Sequence, residues 1–326
     1  MQATARAGSN IAFVKYWGNL DEEMRIPVNG SISMTLDAAH STTTVEFRTD
    51  LTSDHFILNG NVAGARATAR VSRHLDHIRR LSGTELSARV VSQNSFPTGA
   101  GIASSASGFA ALTVAACGAL GLELSRTDLS RIARLGSGSA CRSIYGGFVE
   151  WLPGNEHEDS YAVPLAPPGH WDLVDIIAIV SEEHKTTGSS AGHPLAPTSP
   201  FYEARLQELE TTLSGVRRAI LAKDFAALGQ LMEAEALFLH VIAMTSTPSI
   251  LYWQAGTLNV LHAVRRWRQE EGGPVAYFTM DAGPNVHVIA ERATVPALLP
   301  RLRQVEGVQD TLVCHIGHEA HLLDRQ

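Results

Sequence analysis

The sequence predicts an α+β protein in two halves, and three observations carry that prediction. Apolar and polar residues alternate, with β-branched enrichment, at Ser31 to Leu36 and Thr42 to Phe47, the period of a half-buried strand. A Gly- and Ser-dense run, Asn94 to Gly108, flows straight into the Ala-rich apolar stretch Phe109 to Ala119, as a loop opens into a helix. From Phe201 onward the pattern is helical almost to Glu271, and short apolar segments follow. Strand-rich and helix-rich regions therefore separate along the chain, giving an N-terminal half over residues 1–180 and a C-terminal half over residues 181–326.

Taken in order, the turn Leu58-Asn59-Gly60-Asn61 closes the strand-rich opening. Val71, Leu75, Ile78 and Leu81 then recur at three- and four-residue spacing among Arg and His, predicting an amphipathic helix over 65–81. Leu86 to Val91 reads as a strand leading to the Gly/Ser loop, and the helix after that loop runs from about 105 to 121. Ser125 is placed to cap a further helix bearing Leu129, Ile132 and Leu135, which stops at Gly136-Ser137-Gly138-Ser139. Gly146 to Leu152 and Leu173 to Val180 read as strands, the second one buried. Lys185 to Pro200, rich in Thr, Ser, Gly and Pro, reads as a mobile loop, either lid or linker. Helices follow over 201–243 and 249–271, the last closed by Gly272-Gly273. Tyr277 to Met280 and Val286 to Ala290 bracket the turn 281–285. No repeat or low-complexity segment interrupts this order.

Composition narrows the function. With 326 residues the chain has ample material for a core, and a net charge of −7 leaves no broad basic surface, which argues against nucleic acid as a partner. Any anionic ligand must instead be held by a local pocket. Three cysteines, Cys117, Cys141 and Cys314, are odd in number and lie outside metal-ligand spacing, so they read as free thiols in a reducing compartment. The first eight residues lack the apolar core of a signal peptide, and no run of 18 uninterrupted apolar residues offers a membrane span. The expectation is a cytoplasmic protein with no membrane partner.

Four clusters carry chemistry. A loop of small residues opening a helix aims unpaired N–H groups and the positive end of the helix dipole at one spot, which suits a phosphate. The run at 97–107 lacks the Lys-Ser or Lys-Thr of a P-loop, so a tight structural turn competes equally with phosphate binding. Gly136 to Ser143 concentrates hydroxyls, backbone donors and the planar fork of Arg142, which matches a carboxylate or phosphate; a helix end with a solvated Arg is the alternative. Asp281 stands where a strand gives way to a turn, as a base or simply as a turn-former. Lys15-Tyr16-Trp17-Gly18 follows the apolar Ile11 to Val14, and there the competing reading is a lysine stem packed on Trp17. The histidines are scattered, Gly317 to His321 is too short for a helical zinc motif, and no Gly-x-Ser-x-Gly elbow is present, so no metal site is expected.

Together these clusters resemble a known family. Pro97-x-x-x-Gly101-Ile102-Ala103-Ser104-Ser105-Ala106 is similar to the ATP-binding motif of the galactokinase, homoserine kinase, mevalonate kinase and phosphomevalonate kinase (GHMP kinase) superfamily. Asn10-Ile11-Ala12, Lys15 to Gly18, Ser31-Ile32-Ser33, Ser137 to Arg142 and Asp281 to Asn285 resemble its mevalonate diphosphate decarboxylase branch. The resemblance implies a GHMP kinase-like two-domain fold, with a ribosomal protein S5 domain 2-like N-terminal half, an α/β C-terminal half and the active site in the cleft between. It implies ATP and Mg²⁺, a phosphorylated mevalonate as substrate, and a homodimer. It also implies the reaction, in which the tertiary 3-hydroxyl is phosphorylated and phosphate then leaves as carbon dioxide is lost. By similarity Asp281, Lys15 and Arg142 are catalytic. Tyr16, Trp17, Gly18, Asn19, Ser137, Gly138, Ser139, Ala140, Cys141 and Ser189 bind substrate. Ser92, Asn94, Pro97, Gly101, Ala103, Ser104 and Ser105 bind the nucleotide.

Two departures from the family pattern bear on the substrate. Asn19 follows Gly18 where diphosphate-using members generally carry a basic residue, and Gly188-Ser189-Ser190 has no Arg where a Ser-Ser-Arg segment is usual. Burying a diphosphate without paired cations costs several kcal/mol, so both losses favour a 5-monophosphate and isopentenyl phosphate as product. His184, Lys185, Arg66 and Arg70 are the candidates to replace the lost charge. A diphosphomevalonate decarboxylase is the alternative, and a mevalonate 3-kinase is less favoured because Lys15, Arg142 and Asp281 are all present.

Overall fold

The structure, a computed structural model, describes residues 1–96, 104–183 and 187–325. Pro97, Gly101 and Ala103 of the expected nucleotide loop, and the candidate cations His184 and Lys185, lie outside them.

Two sheets organise the molecule. In the eight-stranded sheet Gln2–Val14 runs antiparallel to the 18-residue strand Ser31–Arg48. The two segments expected as separate strands are thus one, turning near Asp37 to His40, where the register with Gln2–Val14 shifts. Its first part pairs with Phe148–Leu152, and its second part pairs with Ser87–Asn94. Gln2–Val14 gives little signal in sequence, being rich in Ala; pairing on both edges overrides that weak propensity. Gly8 is required there, since a Cβ would sit 2.3 Å from the Leu36 carbonyl oxygen.

The second sheet is wholly antiparallel, in the order Ala276–Thr279, Val286–Glu291, Leu173–Ile179, Asp310–His315. Leu173–Ile179 precedes residue 180, yet it hydrogen-bonds between two strands of this C-terminal sheet. The chain end crosses the other way, with His321–Arg325 pairing along Gln2–Val14 in the first sheet.

Helix Ser104–Ala119 is apolar all round and almost wholly buried over the first sheet. Ser125 caps Arg126–Gly136 by accepting from the Asp128 N–H. The long helical stretch splits into Tyr202–Ala222 and Phe225–Thr245, because Lys223 takes a left-handed conformation (φ 55°) and the Asp224 side chain caps the second helix. Phe225–Thr245 is long and apolar enough to cross a membrane by composition alone. Here Leu228, Met232 and Ala236 face the interior, and the first two share a core with Ile11 and Phe13 of the first sheet and Ile177 and Ile289 of the second.

Two expectations shift. The last long helix is Ala255–Gln269 rather than 249–271, since Gln254 and Thr257 form a reciprocal capping box that fixes its start. Residues 189–198 are not an open loop but a short helix, Ser189–Gly192, and a 3-10 segment, His193–Thr198.

Candidate active site

Lys15 lies one residue past the end of Gln2–Val14, and Asp281 lies just past Ala276–Thr279 in the other sheet. The fold brings them together, with Lys15 Nζ 2.9 Å from Asp281 Oδ1. The lysine side chain is 1% exposed and also donates to the Ala12 carbonyl at 2.6 Å, whereas the Asp281 side chain is 26% exposed to the cleft. Burial by itself would raise the Asp281 carboxyl, but Lys15, His287 and Arg142 outweigh it and hold the group below the ordinary carboxylate range. Burial lowers the Lys15 ammonium, and Asp281 opposes that fall.

Arg142 follows from the 3-10 segment Gly138–Ile144, which turns its side chain inward. A solvated helix-end Arg is excluded, as it is 2% exposed. Its Nε donates to Ser33 Oγ at 3.0 Å, one terminal nitrogen donates to Ser31 Oγ, and the other donates to Asn10 Oδ1 at 3.1 Å. These acceptors are neutral. Since a guanidinium carries five N–H groups, one on each terminal nitrogen has no acceptor among the described residues, a fork suited to a carboxylate.

The Lys15 backbone is clamped from behind. Its N–H donates to Glu235 Oε2 at 3.0 Å, while its carbonyl accepts from Arg205 at 2.6 Å and from Asn29 at 2.9 Å. Arg205 and Glu235 pair at 2.9 Å with side chains 1% and 4% exposed. The two long helices supply this pair, so packing of the C-terminal half sets where the ammonium sits.

Other expected residues sort by position. Tyr16, Trp17, Ser105, Ser137, Gly138, Ser139 and Ser189 line the cleft with Lys15, Arg142 and Asp281. Ser105 Oγ and Ser137 Oγ are 3.0 Å apart, joining the helix Ser104–Ala119 to the second small-residue loop. Ser104 begins that helix. Gly18 (φ 106°) and Gly138 act through their lack of a side chain: a Cβ would meet the Tyr202 hydroxyl oxygen at 2.0 Å and the Tyr16 ring at 2.6 Å.

Several do not reach the cleft. Ala140 and Cys141 are fully buried, Cys141 among Val149, Trp151 and Ala162, with its thiol pushed up to about 12 by burial. The inward turn that aims Arg142 at the cleft places these neighbours in the core. Asn19 accepts from the Tyr16 hydroxyl and is not part of the cleft wall. Ser92 Oγ pairs with Thr43 Oγ1 at 2.9 Å, and Asn94 accepts from Ser41 at 2.7 Å, so both are engaged in the strands that lead to the nucleotide loop.

Two descriptions of known domains match the chain in order: a diphosphomevalonate decarboxylase-like N-terminal domain over residues 7–162 and a mevalonate 5-diphosphate decarboxylase C-terminal domain over residues 175–322. Human diphosphomevalonate decarboxylase is 38% identical over 312 residues, 90% of this chain and 77% of that protein. The chain belongs to this family. Phosphomevalonate decarboxylase from Haloferax volcanii is 35% identical, covering 99% of this chain and 98% of the relative. The crystal structure of mevalonate diphosphate decarboxylase from Staphylococcus aureus superposes with a TM-score of 0.94 at 39% identity, over 99% of this chain and 98% of that one. A further structure, described as MDDEF in complex with MVAPP, AMPPCP and magnesium, superposes with a TM-score of 0.93 at 41% identity, over 99% of each chain.

Sequence reasoning missed Glu235, Arg205, His193 and Arg25. Glu235 had a signal shared with Glu233, two carboxylates within a mostly apolar helix, while its partner sits among ordinary surface charges. His193 lines the cleft, its ring 4.1 Å from Tyr16 and 4.8 Å from Trp17, and its Nδ1 accepts from the Gly18 N–H at 2.9 Å. Burial lowers its pKa to about 3, so the ring is neutral.

Proposed function

We propose that the protein decarboxylates (R)-5-phosphomevalonate to isopentenyl phosphate at the expense of ATP, in isoprenoid biosynthesis. The observation that carries decarboxylation is Arg142, a buried cation whose unused fork lies beside the Lys15–Asp281 pair. A phosphoryl transfer alone has no use for a carboxylate grip at that point.

Asp281 orients the 3-hydroxyl, and because its carboxyl is held acidic it takes the proton only as phosphoryl transfer makes that oxygen a strong acid. Lys15 fixes Asp281 and offsets charge on the transferring group. Arg142 grips the C1 carboxylate. The bond from C3 to the phosphorylated oxygen then breaks and inorganic phosphate leaves; the C1–C2 bonding electrons form the new double bond and carbon dioxide is released.

Among the described residues, the hydroxyls of Ser105 and Ser137, 3.0 Å apart on the cleft wall, fit a metal carried on the nucleotide. Those hydroxyls would hold Mg²⁺ together with phosphate oxygens. When bound, the ion neutralises charge on the phosphates.

Asn19, uncharged where diphosphate-using members are basic, supports the monophosphate. The names of the human and bovine relatives favour diphosphomevalonate as the alternative. Steady-state kinetics with ATP, Mg²⁺ and each substrate decide between them: higher kcat/KM on the diphosphate overturns the monophosphate reading, and ADP formed without carbon dioxide overturns decarboxylation. A cytoplasmic homodimer accompanies this proposal, supported by the family resemblance and by three buried free cysteines.

A further inference from the structure

We propose that Arg25 is the cation that binds the substrate's 5-phosphate, taking over the role left open by Asn19. Of the described residues, three cations line the cleft: Lys15, Arg142 and Arg25. Lys15 is paired with Asp281, and Arg142, held by Ser33 and Asn10, is already assigned to the C1 carboxylate. Arg25 is half-buried and has no carboxylate within ion-pair distance among the described residues, although Asp21, Glu22 and Glu23 share its turn and are exposed.

Its placement is built. The residue closes the hairpin between Asn19–Asp21 and Ile26–Pro27 in a left-handed conformation (φ 51°), which costs a non-glycine residue free energy and persists where surrounding contacts impose it. One such contact is its Nε, which donates to the Leu135 carbonyl at 3.1 Å, in the last turn of Arg126–Gly136. That anchors the hairpin beside Ser137, and among the described residues the two terminal nitrogens have no acceptor.

Of the replacement cations expected from sequence, the two among the described residues, Arg70 and Arg66, do not reach. Arg70 donates to the Gly136 carbonyl at 2.8 Å, lies over the Phe109 ring at 4.6 Å and is not part of the cleft wall; Arg66 is exposed on the same helix. Charge is also distributed to suit a substrate that is anionic at both ends. The field of Arg142 acts on Asp281, while that of Arg25 acts on Tyr16 and His193, on the aromatic side of the cleft, and also on Arg70 and His74 outside the cleft wall. A five-carbon chain with its carboxylate on Arg142 carries its 5-oxygen substituent at the opposite end, and Arg25 is the remaining cation of the described cleft wall. One unpaired guanidinium there suits one phosphate.

The choice between one and two phosphates rests on the function proposed above, but the role of Arg25 does not. Arg25→Gly is the informative variant, because glycine is at ease at a positive φ, which offsets loss of the Leu135 contact, and thermal denaturation checks that the fold is kept. The expected result is a rise of about 10- to 100-fold in KM for the phosphorylated substrate the wild type uses, with kcat changed less than about threefold and KM for ATP unchanged. Arg25→Lys should recover part of that loss. Isothermal titration of substrate without nucleotide should show the same weakening. An unchanged substrate KM overturns the proposal, as does a rise in KM for ATP alone. If the wild type prefers the diphosphate, the monophosphate reading fails, while the effect of Arg25→Gly on KM still judges Arg25.

Discussion

Arg142→Gln separates the two halves of the reaction. The substitution removes a cation and the two N–H groups left for the substrate carboxylate, while an amide retains some bonding to Ser31, Ser33 and Asn10. Each hydrogen bond to a charged group contributes about 1.5–3 kcal/mol, so two of them amount to about 3–6 kcal/mol. At about 1.4 kcal/mol per decade, kcat/KM for carbon dioxide release falls about 10²- to 10⁴-fold. Folding stability moves little, by about 1 kcal/mol or less, because relief of a buried cation offsets the lost hydrogen bonds. The assay follows ADP and carbon dioxide in parallel: the proposed mechanism assigns phosphoryl transfer to Asp281 and Lys15, so ADP formation should fall less than carbon dioxide release. A variant within tenfold of wild type in carbon dioxide release, or one losing both products equally with normal substrate affinity, refutes the assignment.

Two further outcomes follow from the buried network. Glu235→Gln leaves Arg205 as an uncompensated buried charge and loosens the Lys15 backbone; chemical denaturation should show a loss of about 3–5 kcal/mol, and wild-type stability would exclude the clamp. His74 and His193 are both lowered to about 3 by burial, so between pH 6.5 and 3 the unfolded chain binds protons that the native state does not. Their contribution is complete above pH 6.5 and declines as pH falls, by about 1.4 kcal/mol per unit for each residue, or about 2 kcal/mol each by pH 5. Urea titrations at pH 7.5 and 5 measure it, and an unchanged slope in a His74→Gln/His193→Asn double variant would contradict it.

Local pattern made much of this protein legible. Apolar residues at helical spacing located Ala65–Ser82, the Ser125 cap located Arg126–Gly136, and the short strands around 281–285 fell where short apolar runs and turn residues put them. Lys15, Arg142 and Asp281 stood out because their neighbours are small, glycine-rich or at a strand end. Gln2–Val14 and His321–Arg325 did not, since both owe their conformation to a partner distant in sequence. The same is true of Cys141, which motif proximity assigned to substrate and packing assigned to the core.

The sequence by itself determined the α+β class, the family and the three central residues, because each is written in short-range spacing and residue type. Only the tertiary structure decided that Glu235 and Arg205 hold Lys15, that Arg142 keeps two donors unused, and that Arg25 rather than Arg70 faces the cleft. Those are facts about which side chains share a volume with which charges. Contacts between positions 25 and 135, or 15 and 235, are fixed by how sheets and helices pack, and no local pattern in the chain records them.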